Sequence, residues 1–346
     1  MTVVLRATSA AEAPRVQQFL ADVFNIPETA LFLDPAHVYW KYYRPRADWP
    51  ESRSYVYEHD GRIVAHASAW PFELRTMDDT ITGVHPIDWA ASNEVPGVGA
   101  LLLREVRKLR VISCCIGGTD IAQSVISKTG FKPAGVMHSF VRPLRPWKQF
   151  LTHNRRDWKL PARFVRNALW VAKTSVDVPA GWSAEPIDAA SLPDAVLPSP
   201  STDMAVCGRT KDFFAYLNAC PIARFQLLLI RRDGSPVGYA LLSFVPGIAR
   251  IADAWSIDQT VDSWSAIYAL ACRAALEDGS AAELLVACSL KPAVDALVRS
   301  GFRPDLTLPI MLFDPKKRLA GIRDIHLQLA DNDFSFLHDG FPDYDT

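Results

Sequence analysis

The residues best suited to chemistry lie in the run Ile87-Asp88-Trp89-Ala90-Ala91-Ser92-Asn93-Glu94-Val95-Pro96-Gly97-Val98-Gly99-Ala100-Leu101. It reads as an apolar strand, a tight turn and a helix that opens on two glycines. Pro96 has a fixed φ and no N–H, which suits the start of a helix and not its interior. Gly97 and Gly99 carry no Cβ, so a ligand can approach the backbone N–H groups closely. Those groups have no acceptor within the helix, and the helix dipole adds positive potential. Such an element can cradle a pyrophosphate. It can equally be a plain strand-to-helix turn. Gly117-Gly118-Thr119-Asp120 offers a similar choice, between an anion-binding turn and a helix start capped by Thr119 or Asp120.

The elements that position this run come in two sets. Val3 to Ala7 reads as a short strand, Ala10 to Val23 has helical spacing, and His37 to Pro45 is an aromatic helix ended by proline. Ser54 to His59, Asp60-Gly61 and Arg62 to Trp70 form a hairpin, with Asp-Gly the turn. After the glycine run come a strand from Val111 to Ile116, a helix, Gly130-Phe131-Lys132-Pro133, and a closing strand from Val136 to Leu144. The second half repeats the plan. Asp233-Gly234 lies 173 residues after Asp60-Gly61, Trp255 lies 166 after Trp89, and Gly301-Phe302-Arg303-Pro304 lies 171 after Gly130. Matched punctuation in one order predicts a duplicated α/β domain of roughly 140 residues, near the common domain size. The expected division is 1–145, a connector with an amphipathic helix at 146–182, a degenerate copy at 183–330, and an acidic tail at 331–346 that ends as a mobile terminus.

Composition narrows the function classes. The chain has 346 residues, 49% of them hydrophobic, and a net charge of −1 from 37 basic and 38 acidic residues. No global field steers it to nucleic acid or to a membrane. No apolar run is long enough for a transmembrane helix, and residues 1–13 lack a signal-peptide core. Six cysteines without Cys-x-x-Cys spacing read as buried thiols in a reducing cytoplasm, with no disulfide or zinc framework and no metal. In the connector, Asp157 to Lys173 interleaves aromatic and basic residues. This is either a basic amphipathic helix for a membrane or acidic partner, or an inter-domain helix with its aromatic face buried. The balanced net charge favours the second.

Gly97-Val98-Gly99-Ala100 before an apolar helix, with Ser127-Lys128-Thr129-Gly130-Phe131 downstream, resembles the acyl-CoA loop and following Gly-Phe turn of the GNAT N-acetyltransferases. The resemblance implies an α/β (α+β mixed sheet) class with two tandem GNAT-like acyl-CoA N-acyltransferase domains. It implies acetyl-CoA as co-substrate, held by the loop amides around Ala90, Val95, Gly97, Val98, Gly99, Ala100 and Leu101. The preceding strand would splay to admit the pantetheine arm. Glu94 departs from the family's usual Arg or Gln, and an acid beside a pyrophosphate is unfavourable unless it points away.

In that family the acceptor amine attacks the thioester directly, and the base is often a Glu, His or water chain on the strand before the loop. Counting back nine residues from Glu94 gives His85, the first candidate base, whose ordinary pKa near 6.5 suits the task. The alternative for His85 is a strand-end histidine exposed at a turn. Regular alternation puts His85 with Ile87 and Trp89 and turns Asp88, the second candidate, to the other face. A β-bulge would swap that parity. Asp88 can also be a buried, hydrogen-bonded carboxylate or a surface residue. The family's usual general-acid Tyr is replaced by Ile126, and by Leu297 in the second copy. Tyr39, Tyr42 or Tyr43 could substitute, though packing explains them better. The second copy has Ser263-Trp264-Ser265 at the glycine positions, where Trp264 would obstruct a pyrophosphate. Asp253 and Trp255 are the residues that could belong to a cleft there. The expected function is N-acyl transfer to a small-molecule amine such as an amino sugar, without nucleic acid or membrane; oligomeric state is left open. The alternative is a non-catalytic tandem protein that binds CoA or a metabolite as sensor or scaffold.

Overall fold

The computed structural model describes residues 4–154 and 156–346, so Val3 and Arg155 of the expected strand and connector lie outside the described residues. Two compact units emerge, and neither is a contiguous stretch. The first comprises residues 1–136, 201–208 and 308–323, the second residues 137–200, 209–307 and 324–346. The expected division was contiguous. Most of the strand meant to close the first copy belongs to the second unit, and part of its counterpart belongs to the first.

In the first unit β1 (Val4–Ala7) leads to α1 (Ala13–Phe24) and α2 (Pro35–Val38), which runs on as a π-helical turn, Tyr39–Tyr43. Asp34 caps α2 by accepting from the Ala36 and His37 N–H groups, with Pro35 in the first turn. Arg44 is extended ahead of Pro45, which ends the helix as expected. β2 (Ser54–His59) and β3 (Arg62–Arg75) form the hairpin, with Asp60 and Gly61 both at positive φ as a tight Asp-Gly turn requires. β4 (Thr80–Ala91), α3 (Val98–Val106), β5 (Ile112–Ile116), α4 (Asp120–Lys128) and β6 (Lys132–Pro143) follow. The sheet order is β1-β2-β3-β4-β5, with β4 and β5 parallel. One face packs on α1 and α2 through Val16, Leu20, Val38, Tyr42 and Ala90. The other packs on α3 through Ala67, Val84, Val98 and Leu102.

The second unit contains α5 (Pro146–Thr152), α6 (Leu160–Lys173) and β7 (Trp182–Ile187). The next strand, β8 (Met204–Cys207), returns to the first unit and pairs with β3. Then come α7 (Lys211–Asn218), β9 (Arg224–Arg232), β10 (Ser235–Val245), β11 (Ile248–Ser256), α8 (Val261–Asp278), β12 (Glu283–Cys288) and α9 (Lys291–Arg299). β13 (Arg303–Phe313) and β14 (Asp324–His326) complete the strands. The order β12-β11-β10-β9-β7 repeats the first unit's plan, with β11 and β12 as the parallel pair. Residues 138–143 of β6 pair antiparallel with β12, while residues 310–313 of β13 pair antiparallel with β5.

Three expectations are corrected. The acidic tail is docked: Asn332, Ser335, Phe336 and Tyr344 are buried, and Glu283 accepts from the Asp345 and Thr346 N–H groups at 3.0 Å each. A buried carboxylate needs such donors, and the tail supplies them. The connector helix α6 buries Leu160, Asn167 and Trp170 but leaves Val165 and Leu169 exposed, as is Trp158 in the turn before it. Asp253 and Trp255 are sealed in the core and line no cleft. All six cysteines are buried. Among the described residues, no helix is long and apolar enough to cross a membrane.

Candidate functional site

β4 carries the bulge that decides which residues share a face. Ser68 pairs with Ile87 and His66 with Ala90, so Asp88 and Trp89 together oppose Ala67. Asp88 sits at φ +50°, a conformation that Asp tolerates better than most residues. The bulge resets the alternation. Trp89 turns to α3 and donates its indole N–H to the Gly99 carbonyl at 2.9 Å. Asp88 turns to the π-helical turn, where Lys41 Nζ lies 2.8 Å away and the Tyr42 hydroxyl donates at 2.8 Å. Val84 lies on the α3 face, so alternation puts His85 on the same face as Asp88. The expected partnership of His85 with Trp89 is replaced by one with Asp88.

Asp88 and Lys41 are nearly inaccessible, so each charge depends on the other. A hydrogen-bonded chain pins the bulge from behind. Thr8 Oγ1 meets Ser54 Oγ at 2.7 Å, Ser54 Oγ meets His66 Nε2 at 3.0 Å, and His66 Nδ1 donates to the Asp88 carbonyl at 3.0 Å. Burial holds the His66 pKa down at about 4, so its ring is neutral. Sequence reasoning missed His66 and the role of Lys41. A lone lysine within Trp40-Lys41-Tyr42-Tyr43 was the available signal, since a charge in an apolar run needs a partner.

His85 stands where β4 leaves β5. The two strands pair at Gly83 with Ile112 and Val84 with Ser113, and the ladder stops there. Just beyond, His85 Nδ1 lies 2.6 Å from the Cys114 carbonyl oxygen. A carbonyl only accepts, so Nδ1 carries a proton and donates it to that oxygen. The side chain is buried, not exposed at a turn. The fork continues past the bulge to Val95 and the start of α3.

There the glycines differ. Gly97 is at φ +80° with open space where a Cβ would stand, and no side chain caps the first turn of α3. At Gly99 a Cβ would come within 2.9 Å of the Ala91 Cβ, so this glycine serves close packing of α3 on β4. Val98 is buried, while Leu101 is exposed. Ala90 belongs to the core on the α1 face, and Val95 and Ala100 are half-buried. Glu94 points to Arg62, 3.1 Å away at the surface. Thr119 Oγ1 accepts from the Ala122 N–H, so the second glycine turn starts and caps α4. Ile126 is core, and the Tyr42 and Tyr43 hydroxyls are engaged with Asp88 and Thr8.

The second unit has the same fork with its space taken. β11 and β12 pair up to Ile251 and Val286, and β11 bulges at Ala252. Beyond that point Gln328 bridges to Cys288, and its amide donates to the Ala254 carbonyl at 2.6 Å. Ser289 Oγ donates to the Ile325 carbonyl. Residues 325–328 thus wedge the fork. At the start of α8, Thr260 Oγ1 accepts from Ser263 N–H, and Asp258 accepts from Thr260 N–H and Ser263 Oγ. The protein's own carboxylate stands where an anion would bind. Trp264 is buried against Tyr268 and does not project over the turn. Asp253 receives Arg209 through two nitrogens at 2.8 and 3.0 Å and the Tyr239 hydroxyl at 2.6 Å, while Arg209 also meets Asp331. Among the described residues no cluster of three His, Cys, Asp or Glu is placed to hold a metal ion.

No family model and no curated protein matches the sequence. Solved structures do. A GCN5-related N-acetyltransferase from Anabaena variabilis is similar at 12% identity over 90% of this chain and 72% of that one, with TM-score 0.58. Saccharomyces cerevisiae N-myristoyltransferase with bound myristoyl-CoA and inhibitors is similar at 12% identity over 90% and 80%, with TM-score 0.59. A tandem GNAT protein from the clavulanic acid biosynthesis pathway is similar at 13% identity over 90% and 98%, with TM-score 0.50. The bulged strand, the fork beyond it and the glycine-started helix, present in one unit and altered in the other, sit within an architecture that is the tandem fold of the GNAT N-acetyltransferases.

Proposed function

We propose that the first unit is an acyl-CoA-dependent N-acyltransferase and that the second, descended from the same domain by duplication, does not bind CoA. The observation that carries this reading is the parting of β4 from β5 after Val84, followed by a helix that starts at Gly97 with open space where a Cβ would stand. The pantetheine arm would lie in the fork, and the pyrophosphate would meet the turn from Val95 to Leu101 through the amides around Gly97, Gly99 and Ala100, since the Val98 and Leu101 N–H groups already donate to the Val95 and Gly97 carbonyls. Acetyl-CoA is the donor we favour, and the acceptor is a small-molecule amine, with an amino sugar the class to try first. Cytoplasmic action fits a reducing environment for six buried thiols.

In the reaction the acceptor nitrogen forms a bond to the thioester carbonyl carbon, and the carbon–sulfur bond breaks. His85 takes the ammonium proton on Nε2, because its Nδ1–H is committed to Cys114. The CoA thiolate leaves and takes a proton from water, a thiol pKa near 8.5 making it a tolerable leaving group. Asp88, neutralised by Lys41, holds the bulge and thereby the strand that carries His85. The test joins calorimetric titration with acetyl-CoA to thiol-release assays over an amine panel. Wild type should bind and turn over, and Gly97→Val should lose binding through its strained φ and the side chain it adds at the amides. Binding without transfer to any amine would favour a CoA-sensing scaffold, for which the lack of Tyr at Ile126 speaks. Unchanged affinity in Gly97→Val would remove the loop from the site.

A further inference from the structure

The segment from Arg145 to Lys173 holds eight Lys and Arg residues against one acidic residue, Asp157, in a chain whose net charge is −1. Asp157 is itself paired with Arg163. The apolar side chains of this segment do not all go inward. Trp158, Val165 and Leu169 are 84%, 54% and 54% exposed. A step of four puts Val165 and Leu169 on one side of α6, opposite the buried Leu160, Asn167 and Trp170, and Trp158 stands in the turn just before the helix. Lys159, Arg166 and Lys173, spaced by sevens, run beside them.

α5 widens the face. Phe150 and Trp147 pack on Phe164 with ring centroids 5.5 and 5.7 Å apart, which leaves Trp147 and Leu151 at the surface. At the far end of α6, Arg166, Lys173 and Arg303 share a groove of about 370 Å³ with Trp170 and without any carboxylate in its lining. Arg303 stacks on the Trp170 ring at 3.9 Å. Three cations without a counter-charge around an aromatic floor suit an anionic group supplied from outside.

We propose that the α5–α6 face docks on a membrane surface rich in anionic phospholipid. Trp158, Val165 and Leu169 enter the boundary between headgroups and acyl chains, and Lys159, Arg166 and Lys173 meet lipid phosphates. Tryptophan beside basic residues on an amphipathic helix is the composition that this boundary favours. Lysine and arginine stems cover apolar surface while their heads reach the phosphates. A nucleic acid would answer the cations but leave these apolar side chains exposed to water. A second copy of this face would oppose cations to cations across a two-fold axis.

The test is sedimentation of the full chain with vesicles of phosphatidylcholine alone and of phosphatidylcholine with 30% phosphatidylglycerol, about that fraction being a moderately anionic surface. Wild type should pellet with the anionic vesicles, less so as salt rises, and brominated acyl chains should quench its fluorescence in proportion to Trp158, as a Trp158→Phe comparison reads out. Lys159→Ala and Lys173→Ala should each weaken partition by about fivefold. Val165→Asp with Leu169→Asp should weaken it by about a hundredfold. Both positions are exposed, so the double variant should keep its circular dichroism and melting temperature. Equal partition onto neutral vesicles, no partition at all, or unaltered partition of the double variant would overturn the proposal. A dimer lost in the double variant, with no vesicle binding by wild type, would assign the face to a second copy.

Discussion

The two units start from one plan and differ at the same two places. In the first, the parallel strands part after Val84, and the gap is spanned at its base by His85 reaching the Cys114 carbonyl. In the second, they part after Ile251, and residues 325–328 fill the gap through Gln328 and Ser289. The helix that follows begins uncapped at Gly97 in the first unit. In the second it begins under Thr260 and Asp258. In the second unit the protein's own residues take up both places. What the units keep in common is the bulge with a buried acid, a cation and a tyrosine: Asp88, Lys41 and Tyr42 in one, Asp253, Arg209 and Tyr239 in the other. This shared feature is therefore a device for holding a bent strand, and it does not by itself mark a site.

The sharpest way to break the comparison is at His85. His85→Ala should lower acyl transfer by about two to four orders of magnitude while leaving acetyl-CoA affinity within a few-fold, measured by thiol release and calorimetry. His85→Asn retains a donor for the Cys114 carbonyl but no base. Full activity in that variant would make His85 a strut and not a catalyst. Wild type should titrate with one acyl-CoA per chain, and two would contradict the closed second fork.

The shared acids test what the units have in common. Asp88→Ala and Asp253→Ala each remove a buried carboxylate from its cation and should cost up to about 3–5 kcal/mol in denaturant unfolding, the second less because Arg209 keeps Asp331. Asp88→Ala should also slow transfer, because the bulge carries the strand of His85. If Asp253→Ala slowed it equally at a temperature where both variants are folded, the second unit would be part of the site.

Glu283 gives the second unit a pH dependence of its own near neutrality. Burial raises its pKa from 4.5 to about 7, against hydrogen bonds from Thr346 and Asp345 that lower it. The unfolded chain releases this proton near 4.5 and the folded chain near 7, so the folded state binds more protons in between. Stability from this group is full below the lower value and is lost as pH rises through about 7, by about 3 kcal/mol in all. Unfolding at pH 5 and pH 8 should show this, and Glu283→Gln should flatten it. The smallest effect belongs to the α8 cap. Thr260→Ala should cost about 1 kcal/mol and create no CoA affinity, since Asp258 and the wedge remain.

The plan common to the two units was legible because punctuation is local. Asp60-Gly61 and Asp233-Gly234 turn for the same short-range reason, and both hairpins formed around them. Gly130-Phe131 and Gly301-Phe302 likewise follow their helices, with both phenylalanines buried. The glycine run did open a helix. The face of Asp88 was not legible, since one extra residue opposite Ala67 reverses every later side chain and nothing in the strand's composition announces it. Nor was the separate duty of Gly99, which depends on the distance to Ala91.

The sequence by itself determined two α/β copies, the hairpins, the helix starts and the candidate loop, because each depends on residues close along the chain. The tertiary structure alone decided that the closing strands change units, that residues 325–328 fill the second fork, and that the tail is docked on Glu283. These outcomes pair residues tens to hundreds of positions apart. Which buried polar group finds its partner is settled by packing, and single-chain periodicity carries no record of that choice.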